Sequence, residues 1–194
     1  MNSFKLAVCA SGGGGNFQAL IEARDMIGFE INCLIVDRDC GAVGRAERAN
    51  IPVKKIVLSG LNFSEAFAKS LPTNTDLIVL AGFMPIVPKD DCDKWYRKMI
   101  NTHPSLLPKF GGKGMYGVKV QEAVMAAKEE FAGCTVHFVS DDVDAGEIII
   151  QKAIRIDYTE TPWQLGARIF TEENKLLVEA VKLLLHPHPK AIQL

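Results

Sequence analysis

Apolar runs of strand length alternate with segments of helical period through the first half of this chain. A strand buried on both faces reads as a continuous apolar run, and a helix packed on a sheet repeats apolar residues every three to four positions. Phe4–Ala10, Phe29–Val36, 52–57, 76–80 and 98–103 read as strands, and 17–27, 41–50, 62–71 and 88–97 as helices between them. That order predicts an α/β fold, a mostly parallel sheet with helices on both faces. Ligands of such sheets collect at the carboxyl ends of the strands. Three stretches fall there: Ser11-Gly12-Gly13-Gly14-Gly15-Asn16, Ala81-Gly82-Phe83-Met84-Pro85 and Asn101-Thr102-His103-Pro104.

The pattern then changes. Residues 105–118 form a Gly-, Lys- and Pro-rich loop of a length common in functional lids. Residues 120–131 read as a helix, and 134–140 and 147–156 as two strands joined in hairpin fashion by Asp141-Asp142-Val143-Asp144-Ala145-Gly146. Residues 161–185 form a long final helix, with Thr161 as its cap and Pro162 in its first turn. No repeat or linker divides the 194 residues, so the expectation is one domain, with an N-terminal half 1–100 and a C-terminal half 101–194. His186-Pro187-His188-Pro189 read as a frayed end and not a metal site.

Composition narrows the function. A net charge of −1 favours neither nucleic acid nor an anionic membrane surface. No apolar run reaches the ~18 residues of a membrane span. The N-terminal apolar run passes straight into glycines, which reads as a first strand and not a signal peptide. Five scattered cysteines without a CxxC pair fit a reducing cytosol and no structural zinc.

The candidate chemistry lies in the strand-end stretches. Strand side chains alternate, so Asn101 and His103 share a face. A carboxamide can donate to a developing oxyanion, and an imidazole can carry a proton near neutral pH. The bland reading is a strand with a polar end. Strand, glycine loop and helix form the arrangement that holds a phosphate on backbone N–H groups. A flexible turn is one alternative. A dinucleotide fingerprint with Asp37 is another, but Phe17 stands where it needs a small residue. The Walker lysine is absent. Gly82 beside Met84 suggests backbone near a ligand with an apolar wall, or else a plain turn. The acids at 141, 142 and 144 read as solvated turn residues, or as a source of one carboxylate for His103. Glu173 falls on the apolar stripe Leu165, Ile169, Phe170, Leu177, Ala180, Val181, Leu184. A carboxylate there needs a partner, whether an ion pair, an edge position or a ligand.

The motifs SGGGGN, VLAGFM, NTHPSLLPKF, GCTVHFV and DDVDAGEII, in this order and spacing, resemble the folate-dependent glycinamide ribonucleotide formyltransferases of purine biosynthesis. The resemblance covers nearly the whole chain. It implies a three-layer Rossmann-like sheet, a C-terminal part adding an antiparallel strand pair and a long helix, and a cytoplasmic monomer or homodimer. It implies 10-formyltetrahydrofolate as donor, a phosphorylated amine as acceptor, and no metal, nucleic acid or membrane partner. Asn101, His103 and Asp144 match the catalytic set, with Asp144 raising the pKa of His103. Gly14, Gly15, Asn16, Gly82, Met84, Pro104 and Glu173 match the acceptor side. Leu80, Met84, Pro85, Ile86, Val87, Asn101, Val139, Ser140, Asp141 and Asp144 match the folate side. Three positions depart: Gly15 replaces a common Ser or Thr, Pro85 a common basic residue, and Phe170 a common polar residue. Relatives formylate other amines on this fold, so an amino-sugar nucleotide is an alternative acceptor. A nucleotide-binding module without catalysis is the other alternative.

Overall fold

The structure, a computed structural model, describes residues 3–58 and 60–186. The expected frayed end at 187–189 lies outside them. The elements in chain order are β1 (Phe4–Ala10), α1 (Gly15–Ile27), β2 (Phe29–Val36), α2 (Gly41–Arg48), β3 (Val53–Lys55), α3 (Phe63–Ser70), β4 (Leu77–Leu80), α4 (Lys89–Lys94), β5 (Met99–His103), α5 (Val118–Ala126), β6 (Phe131–Phe138), β7 (Ile148–Arg155) and α6 (Pro162–Leu185). The sheet runs β3-β2-β1-β4-β5-β6-β7. The pairs from β3 to β5 are parallel, and β6 and β7 add antiparallel.

Alternate residues of the central strands bury on opposite faces, which creates two cores. Leu6, Val8 and Ala10 of β1 pack with residues of α1, α2, α5 and α6. Ala7 and Cys9 pack with residues of α3 and α4. Helices therefore cover both faces, as the apolar periodicity predicts. Two helices start on capping boxes, Asn62 with Glu65 and Thr161 with Gln164. Each box satisfies two N–H groups that a helix start leaves open.

Several boundaries differ from the sequence expectation. Helix α1 begins at Gly15, so the last two residues of the expected loop belong to its first turn. Strand β3 is only Val53–Lys55, an exposed edge. Its two lysines discourage further pairing there. Helix α4 stops at Lys94, and Arg97 turns the chain at φ 54 into β5. Helix α5 stops at Ala126, where Lys128 (φ 55) reverses the chain. Strand β6 then starts at Phe131, because β7 is long enough to pair Phe131 with Arg155. Gly133 sits inside β6, where any Cβ would collide with the Lys152 carbonyl.

The long loop after β5 is only partly lid-like. Ser105 and Leu107 are buried, Ser105 Oγ donates to the Lys109 carbonyl at 2.7 Å, and Leu107 N–H donates to Thr135 Oγ1 at 3.1 Å. Residues 112–117 remain to line the cavity described next.

Candidate active site

The chain leaves β1 through a loop tied to its neighbours on both sides. Ser11 N–H donates to the Gly82 carbonyl at 3.1 Å, and Met84 N–H donates to Ser11 Oγ at 2.9 Å. The loops after β1 and β4 are thereby held side by side. Helix α2 holds the loop carbonyls: Gly12 accepts from Ala42 N–H at 3.1 Å and Gly13 from Arg45 Nε at 2.8 Å. The amides that open α1 remain at a cavity of about 750 Å³ lined by Gly13, Gly14, Gly15 and Asn16. First-turn N–H groups lack intrahelical acceptors and carry the positive end of the helix dipole, so this is an anion cradle. Gly14 caps the helix at φ 74, and a Cβ there would lie 2.8 Å from the Ala42 Cβ. Glycine alone satisfies both conditions.

Helix α6 brings Glu173 to the same end. It is buried, and its Oε1 accepts from Asn16 Nδ2 at 2.8 Å and Thr102 Oγ1 at 3.1 Å. Neither an ion pair nor an edge position accounts for it. Burial pushes its carboxyl pKa up, and the Asn16 and Thr102 bonds pull back only in part. The buried Asn16 Oδ1 has no protein donor. This end of the cavity therefore offers N–H groups to an anion and the Glu173 carboxylate to a neighbouring hydroxyl or amine.

Strand β5 supplies the middle. Asn101 pairs with His137 and His103 with Thr135 across the antiparallel junction with β6. The hairpin loop returns Asp144 to this point at φ 57, a left-handed conformation that Asp tolerates better than most residues. Asp144 Oδ2 accepts from Gly112 N–H at 3.0 Å and lies 3.3 Å from His103 Nδ1. Its Oδ1 lies 3.4 Å from Asn101 Nδ2. His137 Nδ1 donates to the Phe138 carbonyl at 2.8 Å, and its Nε2 lies 3.3 Å from Asn101 Nδ2 and 3.6 Å from Asp144 Oδ1. Both amide hydrogens of Asn101 are thus directed, one at Asp144 and one at His137.

His103 Nε2 lies 2.8 Å from the Phe110 carbonyl and must donate to it. Nδ1 then faces Asp144, and adding a proton there creates a charge-assisted bond. Asp144 raises the His103 pKa, as expected, but burial outweighs Asp144 and the Phe110 carbonyl and holds it below its ordinary value. The Asp144 carboxyl lies below its ordinary value, because hydrogen bonds and the histidines outweigh the upward push of burial. Both ring nitrogens of His103 therefore face acceptor oxygens, and burial opposes the charge that would serve both.

The far end is apolar. Leu80, Met84, Pro85, Ile86, Val87 and Val139 line it, with Ser140, Asp141 and Asp144 beside them. Gly82 and Pro104 lie on the same cavity wall. Asp141 pairs with the exposed Lys89 at 3.5 Å, and Asp142 is exposed, so only Asp144 of the three loop acids turns to His103. Asp37 binds Arg38 and is absent from the cavity wall, which leaves the dinucleotide reading without its acid. Phe170 is half-exposed and turned to the cavity, not part of the core stripe. Sequence reasoning passed over Thr102, His137 and the Phe110 carbonyl. His137 does carry a signal, a polar residue two positions from Thr135 in an apolar run. Among the described residues no group of three or more His, Cys, Asp or Glu is placed to hold a metal. No helix among them is long and apolar enough to cross a membrane.

A parallel α/β sheet thus carries first-turn helix amides at one strand end and an Asn–His–Asp cluster at another, on one cavity. The sequence matches the Formyl transferase family over residues 4–181, and the chain belongs to that family. It is 37% identical to the chloroplastic phosphoribosylglycinamide formyltransferase of Arabidopsis thaliana over 91% of its own length and 64% of the relative's. The chain thus spans less than two thirds of that relative. The glycinamide ribonucleotide transformylase 1 structure from Symbiobacterium toebii superposes with a TM-score of 0.87 at 32% identity, covering 95% of this chain and 89% of that one. The phosphoribosylglycinamide formyltransferase structure from Anaplasma phagocytophilum gives 0.86 at 32%, covering 96% and 89%.

Proposed function

We propose that this chain transfers a formyl group from 10-formyltetrahydrofolate to the amine of glycinamide ribonucleotide, a step of purine biosynthesis. One observation carries the reading. A single cavity joins an anion cradle with Glu173 at one end, an apolar wall at the other, and the Asn101–His103–Asp144 cluster between them. That order matches a phosphorylated amine meeting a flat, largely apolar donor.

The apolar wall with the backbone of 140–144 suits a folate ring, and the donor supplies an activated formyl carbon. On the acceptor side the α1 amides take the phosphate, and Glu173 accepts from the ribose hydroxyls or the amine. Asn101 turns the hydrogen it shares with His137 toward the oxygen that gains charge. The protein loses little by this, since that contact is long at 3.3 Å. Oxyanion donors of this kind are worth ~10²–10³ in rate. His103 accepts a proton on Nδ1, where Asp144 stabilises the imidazolium. That proton comes from the attacking amine, and a ring proton reaches the leaving nitrogen once a ligand atom or water displaces Asp144 from Nδ1 or the Phe110 carbonyl from Nε2. The same sheet carries both halves, 1–100 and 101–194, and we read them as one formyltransferase domain. The five unpaired cysteines support a reducing, cytoplasmic setting, and small molecules are the proposed partners of a monomer or homodimer.

The test is loss of 10-formyltetrahydrofolate with glycinamide ribonucleotide as acceptor, against an amino-sugar nucleotide. Turnover with the first and none with the second is expected. The reverse would replace the acceptor, and turnover with neither would remove the reading.

A further inference from the structure

We infer that Phe170 closes the acceptor end of the cavity and makes the site selective for a terminal phosphate monoester over an esterified or nucleotide-extended phosphate. The inference rests on the acceptor reading above. Gly15 lines both the main cavity and a second groove of about 650 Å³ between α1 and α6. The tip of the Phe170 ring is seated on Gly15: a Cβ built there would lie 2.7 Å from Cε1 and collide with Cζ. Gly15 has no left-handed φ and stands at the first position of α1, where alanine suits the backbone. The ring, not the backbone, demands glycine at this position.

Phe170 contributes little to the core of α6. It is 43% exposed, while its neighbour Ile169 is fully buried. Its exposed body faces the cavity just past the phosphate cradle. Beyond it, Thr171 and Asn174 of α6 line the groove together with Gln18, Arg45 and Lys175. Ala19, Ala23, Met26 and Val178 make much of that groove apolar, and Glu22 stands in it beside Arg45 and Lys175. The groove would give the next group of a longer acceptor room if the passage at Gly15 were open. With the ring in place the cavity ends at the phosphate.

Binding of glycinamide ribonucleotide and of its methyl phosphodiester, measured by calorimetry, tests this. Wild type and variants meet the same charge difference between the two ligands, so a change in preference reports shape. Wild type is expected to prefer the monoester. Phe170→Ala should cut that preference about tenfold or more, within the ~10–200-fold that small steric differences are worth. Gly15→Ala should weaken the monoester, and Gly15→Ala/Phe170→Ala should restore it, since the methyl group then has space. An unchanged preference in Phe170→Ala, or independent effects of the two substitutions, overturns the partition. Monoester binding in wild type without formyl product would overturn the acceptor reading while leaving the partition to be judged by the same affinities.

Discussion

The two ends of the cavity are built on different principles. At the acceptor end the functional groups belong to the core: Asn16 is 5% exposed and Glu173 6%. Their positions are fixed by hydrogen bonds between β5, α1 and α6 before any ligand arrives. At the apolar end Met84 is 46% exposed and Ile86 58%. Those side chains gain burial only when a ligand covers them. The first end is prepaid recognition of a small charged group, and the second is a surface whose binding energy comes from desolvation. Substitutions at Asn16 or Glu173 should therefore disturb stability and binding together, and substitutions at Met84 or Ile86 binding alone.

The largest effect is expected between the two ends. Asp144→Asn should lower turnover about 10²–10⁴-fold, the range for losing a positioned acid–base group. Acceptor and donor affinities should stay near wild type, because Asp144 faces His103, Asn101 and His137. Asp144 is also the main upward influence on the His103 pKa. Its neutralisation should move the limb of kcat that reports His103 to lower pH. A pH profile of single-turnover rates measures this, and an unmoved limb would separate Asp144 from His103.

Gly14→Val comes next. A branched side chain at φ 74 costs about 1–2 kcal/mol in conformation alone and meets Ala42 as well. The melting temperature should fall and the acceptor KM should rise strongly, with donor affinity little changed. A folded variant with wild-type acceptor KM would remove the phosphate assignment and break the contrast between the ends.

Much of this arrangement was legible in the sequence because it is local. Continuous apolar runs mark strands buried on both faces, and the period-two alternation puts Asn101 and His103 on one side. Glu173 stood out as a carboxylate on an apolar stripe. What completes the site is not local. Asn16 meets Glu173 across 157 residues of sequence. His137 reaches Asn101 only through the β5–β6 register, and Phe170 explains Gly15 only once α6 crosses α1. The Phe110 carbonyl on His103 is a backbone contact that no residue type announces. Spacing shows the carboxylate that raises the His103 pKa but not the depth of burial that outweighs it.

Glu173→Gln sharpens the contrast further. Losing one charge-assisted bond should weaken the acceptor by ~1.5–3 kcal/mol, roughly ten- to a hundredfold in Kd. The free protein should respond in the opposite direction. The folded-state pKa of Glu173 is raised, so its favourable contribution is complete below the ordinary Glu value and is lost as pH rises through the raised value. Above that value the buried carboxylate is a cost to the fold. Glutamine removes the cost, so the variant should melt higher than wild type at alkaline pH, by about 2–4 °C per kcal/mol in a chain of this size. The gain should vanish in acid. Equal acceptor affinity, or no stabilisation at high pH, would show that Glu173 is not a buried charge kept for a ligand.

Ile86→Ala should have the smallest effect and is the direct test of the apolar end. Ile86 lies on the cavity wall and is 58% exposed in the free protein. Truncation to alanine removes three carbons, and full burial of each is worth about 0.8 kcal/mol. A side chain that is only partly covered by a flat ligand should forfeit about 1 kcal/mol, roughly fivefold in donor Kd. Acceptor affinity should be unchanged, since the anion cradle is built by α1 and α2 and Glu173 is held by Asn16 and Thr102. The melting temperature should also hold, because exposed substitutions usually cost within about 0.5 kcal/mol. Calorimetry with a folate analogue and with the acceptor, beside a thermal melt, reads all three quantities. A fall of several degrees would mean that Ile86 already works in the core, and the two ends would then be built alike. Unchanged donor affinity would move the donor away from this wall altogether.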